Sequence, residues 1–143
     1  MIIRKAIESD AEKIHEIEKL CFADPWSVKS ILEDISENEK AKYLVAAEGD
    51  QVLGYVGVWN ILGEGHITNV AVKPQFRRRH IADLLIDQLL KEFEKATLEV
   101  RSSNEAAIAL YEKHGFERIG IRKGYYENNG EDAIIMWLGY ENE

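Results

Sequence analysis

The chain contains little cysteine and proline, and it has no long apolar run. Its 143 residues include one cysteine and two prolines. A lone Cys21 cannot form an internal disulfide or a cysteine-rich metal site, so we expect a buried core thiol in a reducing compartment. No apolar stretch approaches the roughly 18 residues that a membrane span needs, and the first residues lack the apolar core of a signal peptide. These absences predict a cytoplasmic protein with no metal site and no membrane partner.

Positive charge is also scarce. The 26 Asp and Glu residues outnumber the 18 Lys and Arg residues, which gives a net charge of -8. A surface of that sign repels nucleic acid and attracts a basic peptide. The 45% hydrophobic content is enough to bury a core. Because no repeat, linker or low-complexity segment divides the chain, we expect one domain over residues 1–143.

Several segments carry the alternation or the composition typical of strands. A hairpin is predicted with its turn at Gly49 and Asp50, followed by a third consecutive strand that ends before Pro74. A second hairpin is predicted across the turn NNG near the end of the chain. The predicted strands are IIRKA, the two arms of YLVAAEGDQVLGYVGVW, HITNVAV, ATLEV, FERIGIRKGYY and EDAIIMWL.

Helical spacing occurs between these strands. A first helix is predicted with an apolar stripe of Ile14, Ile17, Leu20 and Cys21, a second to span residues 28 to 36, and a third to carry an apolar face from Ile81 to Phe93. A fourth is predicted to end at Gly115. The predicted caps are a capping box of Ser9 and Glu12, Ser27, and Ser103 or Asn104. This order of elements indicates a mixed α/β domain.

The one strongly basic stretch is VKPQFRRRH at residues 72 to 80. A strand is predicted to end at Val72, and a helix is predicted to start near His80. The first N–H groups of a helix lack intrahelical partners and bind phosphate oxygens, and Arg77, Arg78 and Arg79 would add charge. The same arginines would also suit a solvated surface or ion pairs with the abundant acids, and their spacing leaves both readings open. A GK[ST] phosphate loop is absent.

The segment LEVRSSNEAAIALYEKHGF carries a second group of candidates. Alternation along the strand places Glu99 and Arg101 on the face opposite Leu98. Glu99 is either a general base, with a pKa direction that sequence leaves undecided, or half of an ion pair with Arg101. Tyr111 shares a helix stripe with Asn104, and by itself it is equally compatible with a core aromatic.

Three motifs together resemble the GCN5-related N-acetyltransferase (GNAT) family, and within it the RimI type that acetylates protein N-termini. NVAVKPQFRRRHIADLL resembles the family's acetyl-CoA motif Q/R-x-x-G-x-G/A, with Arg77 first, His80 where glycine is usual, and Ala82 last. LEVRSSNEAAIALYEKHGF followed by YYENNGEDAIIM resembles the RimI pattern, as does PWS at residues 25 to 27. The resemblance runs from residue 1 to about 138.

The resemblance implies an α/β (α+β) GNAT fold. Its mixed, mostly antiparallel sheet has six to seven strands and about four helices, and it is splayed between the fourth and fifth strands, here HITNVAV and ATLEV. The acetyl donor implied is acetyl-CoA, with no metal. The implied cofactor contacts are Val70, Ala71, Val72, Arg77, Arg78, Arg79, His80, Ile81, Ala82, Asp83 and Asn104. A helical φ at His80 would leave its N–H available to the diphosphate at small cost.

The resemblance also implies chemistry and substrate. Glu99 matches the RimI base position and Tyr111 the general acid, for direct transfer without an acyl-enzyme. The acceptor implied is the N-terminal alanine of a basic small-subunit ribosomal protein. The predicted substrate contacts are Trp26, Arg122, Tyr125, Tyr126, Glu131 and Asp132. The alternatives are a polyamine-like small-amine N-acetyltransferase and a non-catalytic acetyl-CoA-binding module.

Overall fold

Within residues 1–139, which the computed structural model describes, the chain forms seven strands and four helices. The strands are β1 Ile2–Lys5, β2 Ala41–Glu48, β3 Gln51–Ile61, β4 Glu64–Val72, β5 Ala96–Arg101, β6 Glu117–Tyr126 and β7 Glu131–Leu138. The helices are α1 Ala11–Cys21, α2 Val28–Ser36, α3 Ile81–Leu90 and α4 Glu105–Lys113. None of these four helices has the length and apolar character needed to cross a bilayer.

The strands form one sheet in the order β1-β2-β3-β4-β5-β7-β6. All neighbours are antiparallel except β4 and β5, which are parallel and pair only at Gly65 with Ala96 and at His66 with Thr97. Beyond His66 the two strands part, and the sheet opens toward the end of β4. The predicted mixed, mostly antiparallel sheet splayed between its fourth and fifth strands is therefore confirmed.

A bulge lies where the sheet opens. Gly57 pairs with Asn69 and Val58 with Ile67, so Thr68 is an extra residue on β4. A bulge of this kind bends its strand and redirects the side chains that follow. It therefore contributes to turning the end of β4 away from β5.

Helices cover both faces of the sheet. On one face α3 buries Leu85 and Leu89, and α4 buries Ile108, in a cluster with residues of β3, β5 and β7. On the other face α1 buries Ile14 and Ile17, together with residues of α2, β2 and β3. The apolar stripes predicted for α1 and α3 thus face the sheet from opposite sides. The stripe of α1 is narrower than predicted, because Leu20 is 57% exposed, and Cys21 is partly buried rather than the buried core thiol that was expected.

Two predicted helix caps are confirmed and one is wrong. Ser27 Oγ accepts the N–H of Ser30 at 3.1 Å, and Asn104 Oδ1 accepts that of Ala107 at 3.1 Å. The capping box of Ser9 and Glu12 does not form, because a 3₁₀ turn over Glu8–Asp10 precedes α1 and the carboxylate of Asp10 accepts the N–H of Ile7. Helix α3 also ends at Leu90, so Phe93 lies beyond it and packs against Gly65.

Candidate active site

The opening between β4 and β5 leads into a cavity of about 930 Å³. Its walls come from β4, the loop before α3, β5, α4, the segment between α1 and α2, and the turn after β6. Cavities of this size hold cofactors and elongated ligands. Most of the residues predicted to bind the cofactor, bind the substrate or carry out catalysis line this cavity. They are Trp26, Val70, Ala71, Val72, Arg77, Arg78, His80, Ile81, Ala82, Asp83, Glu99, Asn104, Tyr111, Tyr125 and Tyr126.

Four predicted site residues lie outside the lining, namely Arg79, Arg122, Glu131 and Asp132. Glu131 binds Arg101 at 3.1 Å and accepts the N–H of Ser103 at 2.8 Å. Asp132 accepts the N–H of Gly124 at 2.9 Å, within the final hairpin. The contacts of these two acids therefore join β7 to the end of β5, to the turn before α4 and to β6.

The backbone of β4 presents polar groups to the opening. The N–H of Lys73 donates to the Leu53 carbonyl on β3, and the Ala71 carbonyl also faces β3, against Gly54. Because backbone groups alternate along a strand, those of Val70 and Val72 point the other way, into the gap. These two residues thus offer N–H donors that β5 does not use.

The basic loop adopts an unusual backbone conformation. Arg78 has φ 69° and His80 has φ 59°, the left-handed region that favours glycine. His80 is the N-cap of α3 in a left-handed conformation, so the condition of a helical φ at His80 is not met. Its side chain is 78% exposed, with Nδ1 3.3 Å from Asp83 Oδ2. The turn usually made by glycine is retained, and the first N–H groups of α3 remain available to an anion.

The three arginines of this loop have different surroundings. Arg77 turns back, with Nε 3.3 Å from the Val72 carbonyl oxygen and Nη2 3.5 Å from Cys21 Sγ. Arg79 pairs with Glu48 at 3.2 Å. Within residues 1–139 the guanidinium of Arg78 has no ion-pair or hydrogen-bond partner, and it lines the cavity. Arg78 is therefore the member best placed to bind an anion.

Asp83 brings a negative charge into the first turn of α3. Burial alone would raise its pKa, but hydrogen bonds from His114, Lys113 and His80 outweigh that effect and lower it. His114 Nε2 lies 2.9 Å from Asp83 Oδ1, while its Nδ1 lies 3.1 Å from Asp87. The neighbouring Lys113, His80 and His114 thus offset the negative charge of Asp83 near the place where a diphosphate would bind.

Glu99 faces a histidine that the sequence analysis did not select. Glu99 Oε2 lies 2.7 Å from His66 Nε2, and the glutamate side chain is 12% exposed. The hydrogen bond from His66 lowers the pKa of Glu99, outweighing burial, and Arg122 at 3.9 Å adds to the effect. The alternative ion pair between Glu99 and Arg101 is wrong, because Arg101 binds Glu131.

Tyr111 is buried, and it also lines the cavity. Its ring packs edge-on against Phe116, with centroids 5.9 Å apart, and burial raises its pKa. Among the described residues its hydroxyl has no hydrogen-bond partner, although the side chain lines the cavity. Tyr111 therefore keeps its proton at neutral pH and is placed to donate it within the cavity.

The remaining wall is aromatic. Trp26 packs edge-on against Trp59, with centroids 6.5 Å apart, and Tyr125 packs against Tyr126 at 5.1 Å. The Arg101 guanidinium lies 4.0 Å from the Tyr126 ring centroid. Such a wall suits the backbone and apolar side chains of a short peptide.

Comparison with known proteins identifies the family. The sequence model of the family described as Acetyltransferase (GNAT) family matches residues 11–116. The chain belongs to the GNAT family. It is 36% identical over 137 residues to the ribosomal protein bS18-alanine N-acetyltransferase of Salmonella typhimurium, covering 91% of each chain. The protein of the same name from Escherichia coli K12 is 37% identical over 139 residues, again covering 91% of each.

The GNAT fold is shared with solved structures. The crystal structure of the ribosomal-protein-S18-alanine N-acetyltransferase from Escherichia coli superposes with a TM-score of 0.87 and 32% identity, covering 99% of this chain and 96% of that one. Together with the family match, these relatives show that the chain is an N-acetyltransferase that uses acetyl-CoA as acetyl donor.

The cavity of this GNAT enzyme fits acetyl-CoA. The left-handed loop opens the N-terminus of α3 for a diphosphate, and the free N–H groups of Val70 and Val72 line the gap that would take the pantetheine arm. Asn104 uses Oδ1 to cap α4, which leaves its Nδ2 as a donor at the cavity wall. These residues remain the predicted contacts of the donor.

Proposed function

We propose that the chain acetylates the α-amino group of an N-terminal alanine, specifically that of ribosomal protein bS18. The observation that carries the proposal is the 36% and 37% identity, over 91% of each chain, to enzymes with that activity in their names. The cavity, lined by a carboxylate and a protonated tyrosine, supports the same reaction.

The acceptor must lose a proton before it reacts. A peptide α-amino group has a pKa of about 7.7 to 8.0, so much of it is an ammonium near neutral pH. The lowered pKa of Glu99 keeps the carboxylate ionised, so it accepts the hydrogen bond from His66 Nε2–H. A histidine that donates through Nε2 can accept a proton at Nδ1. We propose that the pair of His66 and Glu99, whose side chains lie 2.7 Å apart, accepts the proton that the α-amino group loses.

Three further groups complete the proposed mechanism. Acetyl-CoA supplies an activated thioester. The N–H of Val70 points into the gap and is placed to donate to the acetyl carbonyl oxygen. Tyr111 Oη holds the proton that a departing thiolate needs. Cys21 Sγ is engaged with the Val72 carbonyl and Arg77, each at 3.5 Å, so we assign it no covalent role.

The proposed acceptor is a basic N-terminal peptide. The net charge of -8 favours a cationic partner, and the aromatic wall of Trp26, Tyr125 and Tyr126 suits a short extended chain. The same charge disfavours nucleic acid. The proposal further places residues 1–143 in one domain, and the enzyme in the cytoplasm, away from membranes.

A competition assay with acetyl-CoA tests the proposal. A hexapeptide with a free N-terminal alanine and a basic tail is expected to gain one acetyl group at its α-amine, located by mass spectrometry. A lysine-containing hexapeptide with a blocked N-terminus is the matched control and is expected not to react. Preferred acetylation of spermidine would instead support a small-amine enzyme. Binding of acetyl-CoA without turnover of any amine would support a non-catalytic module.

A further inference from the structure

Glu18 is a buried carboxylate that the reaction does not use. It lies in α1, and the residue is 1% exposed. Glu18 Oε1 accepts the backbone N–H of Trp26 at 2.9 Å. Its Oε2 accepts the hydroxyl of Tyr55 and, at 3.2 Å, the side-chain amide of Asn69. One carboxylate therefore joins the segment after α1 to β3 and to β4.

Two of these three partners line the cavity, namely Trp26 and Asn69. Trp26 belongs to the aromatic wall on the peptide side. Asn69 follows the bulge on β4 and immediately precedes Val70, whose N–H points into the gap. Glu18 thus contacts one residue of the aromatic wall and one residue of β4 at the opening of the sheet.

The backbone of Trp26 is held at both of its polar groups. While Glu18 accepts the N–H, His15 Nδ1–H donates to the Trp26 carbonyl oxygen at 2.7 Å. Glu18 and His15 lie one turn apart on α1, so a single helix face clamps this peptide unit. The segment between α1 and α2 has no helix or strand of its own. These two hydrogen bonds therefore fix its position relative to α1.

The surroundings of Glu18 differ from those of a second buried acid. Asp10 has a cationic partner, Arg4, at 2.7 Å, and it does not line the cavity. Within residues 1–139 Glu18 forms no such salt bridge, and its three donors are neutral groups. Burying a charged side chain that has only neutral hydrogen-bond donors lowers the stability of the fold relative to an apolar side chain of similar size. Its contacts with two cavity residues give it a role in the site.

We propose that Glu18 is a positioning residue for the acceptor peptide, holding Trp26 and Asn69 in the geometry that binds the substrate amine. The inference rests on the proposed function for the identity of the acceptor. It assigns Glu18 to the peptide side alone, because none of its contacts reaches the loop before α3 that is predicted to bind the diphosphate.

The test compares Glu18→Gln with Asp10→Asn. Gln keeps the size of the side chain, but its NH₂ cannot accept a hydrogen bond, so one donor from Trp26, Tyr55 or Asn69 loses its partner. For Glu18→Gln we expect the peptide KM to rise about tenfold, the effect of roughly one lost hydrogen bond, with the acetyl-CoA Kd within about twofold of wild type. Asp10→Asn also disrupts a buried acid but is expected to lower only the melting temperature.

A second measurement does not depend on the acceptor. Amide exchange at Trp26, followed by NMR, is expected to be faster in Glu18→Ala, which removes both acceptor oxygens, and unchanged in Asp10→Asn. If the wild-type enzyme does not acetylate the alanine peptide, the proposed function is refuted. The exchange measurement would still decide whether Glu18 holds the backbone of Trp26.

The outcomes that overturn the inference are specific. An unchanged peptide KM in Glu18→Gln would do so, as would a parallel loss of acetyl-CoA affinity, or unchanged exchange at Trp26 in Glu18→Ala. If Glu18→Gln does not fold, Asn69→Ala removes one held group and leaves the carboxylate in place. A rise in its peptide KM with unchanged acetyl-CoA binding supports the inference, and an unchanged KM refutes it.

Discussion

His66 Nε2 lies 2.7 Å from Glu99 Oε2, across the point where β4 and β5 separate. His66 is one of only two β4 residues that pair with β5, and Glu99 is two residues beyond its partner Thr97. Parallel pairing therefore ends where the cavity begins. There the side chain of His66, the last paired residue of β4, meets that of Glu99. This relationship makes His66 part of the proton path that we propose.

Replacing His66 with Gln tests that role. Gln keeps a donor for Glu99 but has no ring nitrogen that can accept a proton. We expect kcat/KM for the alanine peptide to fall by about 10² or more, the usual contribution of a positioned acid or base. Acetyl-CoA affinity, measured by calorimetry, should stay unchanged. Retention of most activity would show that His66 only supports Glu99 structurally.

Glu99→Gln should reduce kcat/KM by about 10² to 10⁴. The variant loses the carboxylate that binds His66 and takes part in accepting the proton of the α-amino group. The hydrogen bond from His66 lowers the pKa of Glu99, so the carboxylate stays ionised throughout pH 6 to 9 and contributes no titration there. Any rise of activity in that window should follow the peptide amine, near pH 7.7 to 8.0. Rate measurements across this range should show partial rescue of the variant at alkaline pH.

The same pKa shift has a consequence for stability. A folded pKa below the unfolded value means that the ionised carboxylate stabilises the fold above the unfolded pKa, about 4.3 for Glu, and that this contribution is lost as pH falls through the folded pKa. The melting temperatures of wild type and Glu99→Gln should therefore differ at pH 7 and converge in acid. A difference that grows with falling pH would contradict the direction of the shift.

Tyr111→Phe should lower turnover while acetyl-CoA binding stays nearly unchanged. Burial raises the pKa of Tyr111, so the hydroxyl remains protonated throughout the working range, and the variant lacks a donor for the departing thiolate. Alkaline pH should not rescue this variant, in contrast to Glu99→Gln. Phe116 packs against the same ring, so Phe116→Leu serves as a control for packing. Full activity of Tyr111→Phe would return this residue to a core role.

Local pattern was sufficient to predict the elements and the faces of the sheet. Alternation in ATLEVR placed Leu98 inward and Glu99 toward the cavity, and Gly49, with φ 60°, makes the predicted hairpin turn. Each of these features is set by residues close together in sequence. The gap between β4 and β5 was expected only from the family resemblance.

Contacts across that gap were beyond local pattern. His66 and Glu99 are 33 residues apart, and only the parallel register of β4 and β5 brings them together. The presence of a histidine in HITNVAV was visible, but its partner was not. The left-handed φ of His80 was missed for a related reason: a non-glycine residue adopts it only when the surrounding loop and helix compel it.

The arginine loop gives the last prediction, because its three guanidinium groups have separate environments. Arg78 lines the cavity without a protein partner among the described residues, whereas Arg79 pairs with Glu48 at 3.2 Å. Arg78→Ala should therefore raise the acetyl-CoA KM about tenfold, since a charge-assisted contact contributes roughly 1.5 to 3 kcal/mol before solvent screening. Arg79→Ala is the matched control, with a change of less than about twofold in KM, because exposed pairs contribute little.

Salt separates a phosphate contact from a structural one. Attraction between Arg78 and a diphosphate is screened by ions, so the KM difference between wild type and Arg78→Ala should shrink as ionic strength rises from 0.05 to 0.5 M, where the screening length falls below about 10 Å. Arg77→Ala should instead lower the melting temperature, because Arg77 holds the loop to the Val72 carbonyl at 3.3 Å. If neither Arg78→Ala nor Arg79→Ala changes the acetyl-CoA KM at any salt concentration, neither arginine binds the diphosphate, which would leave the N–H groups of α3 as its contact.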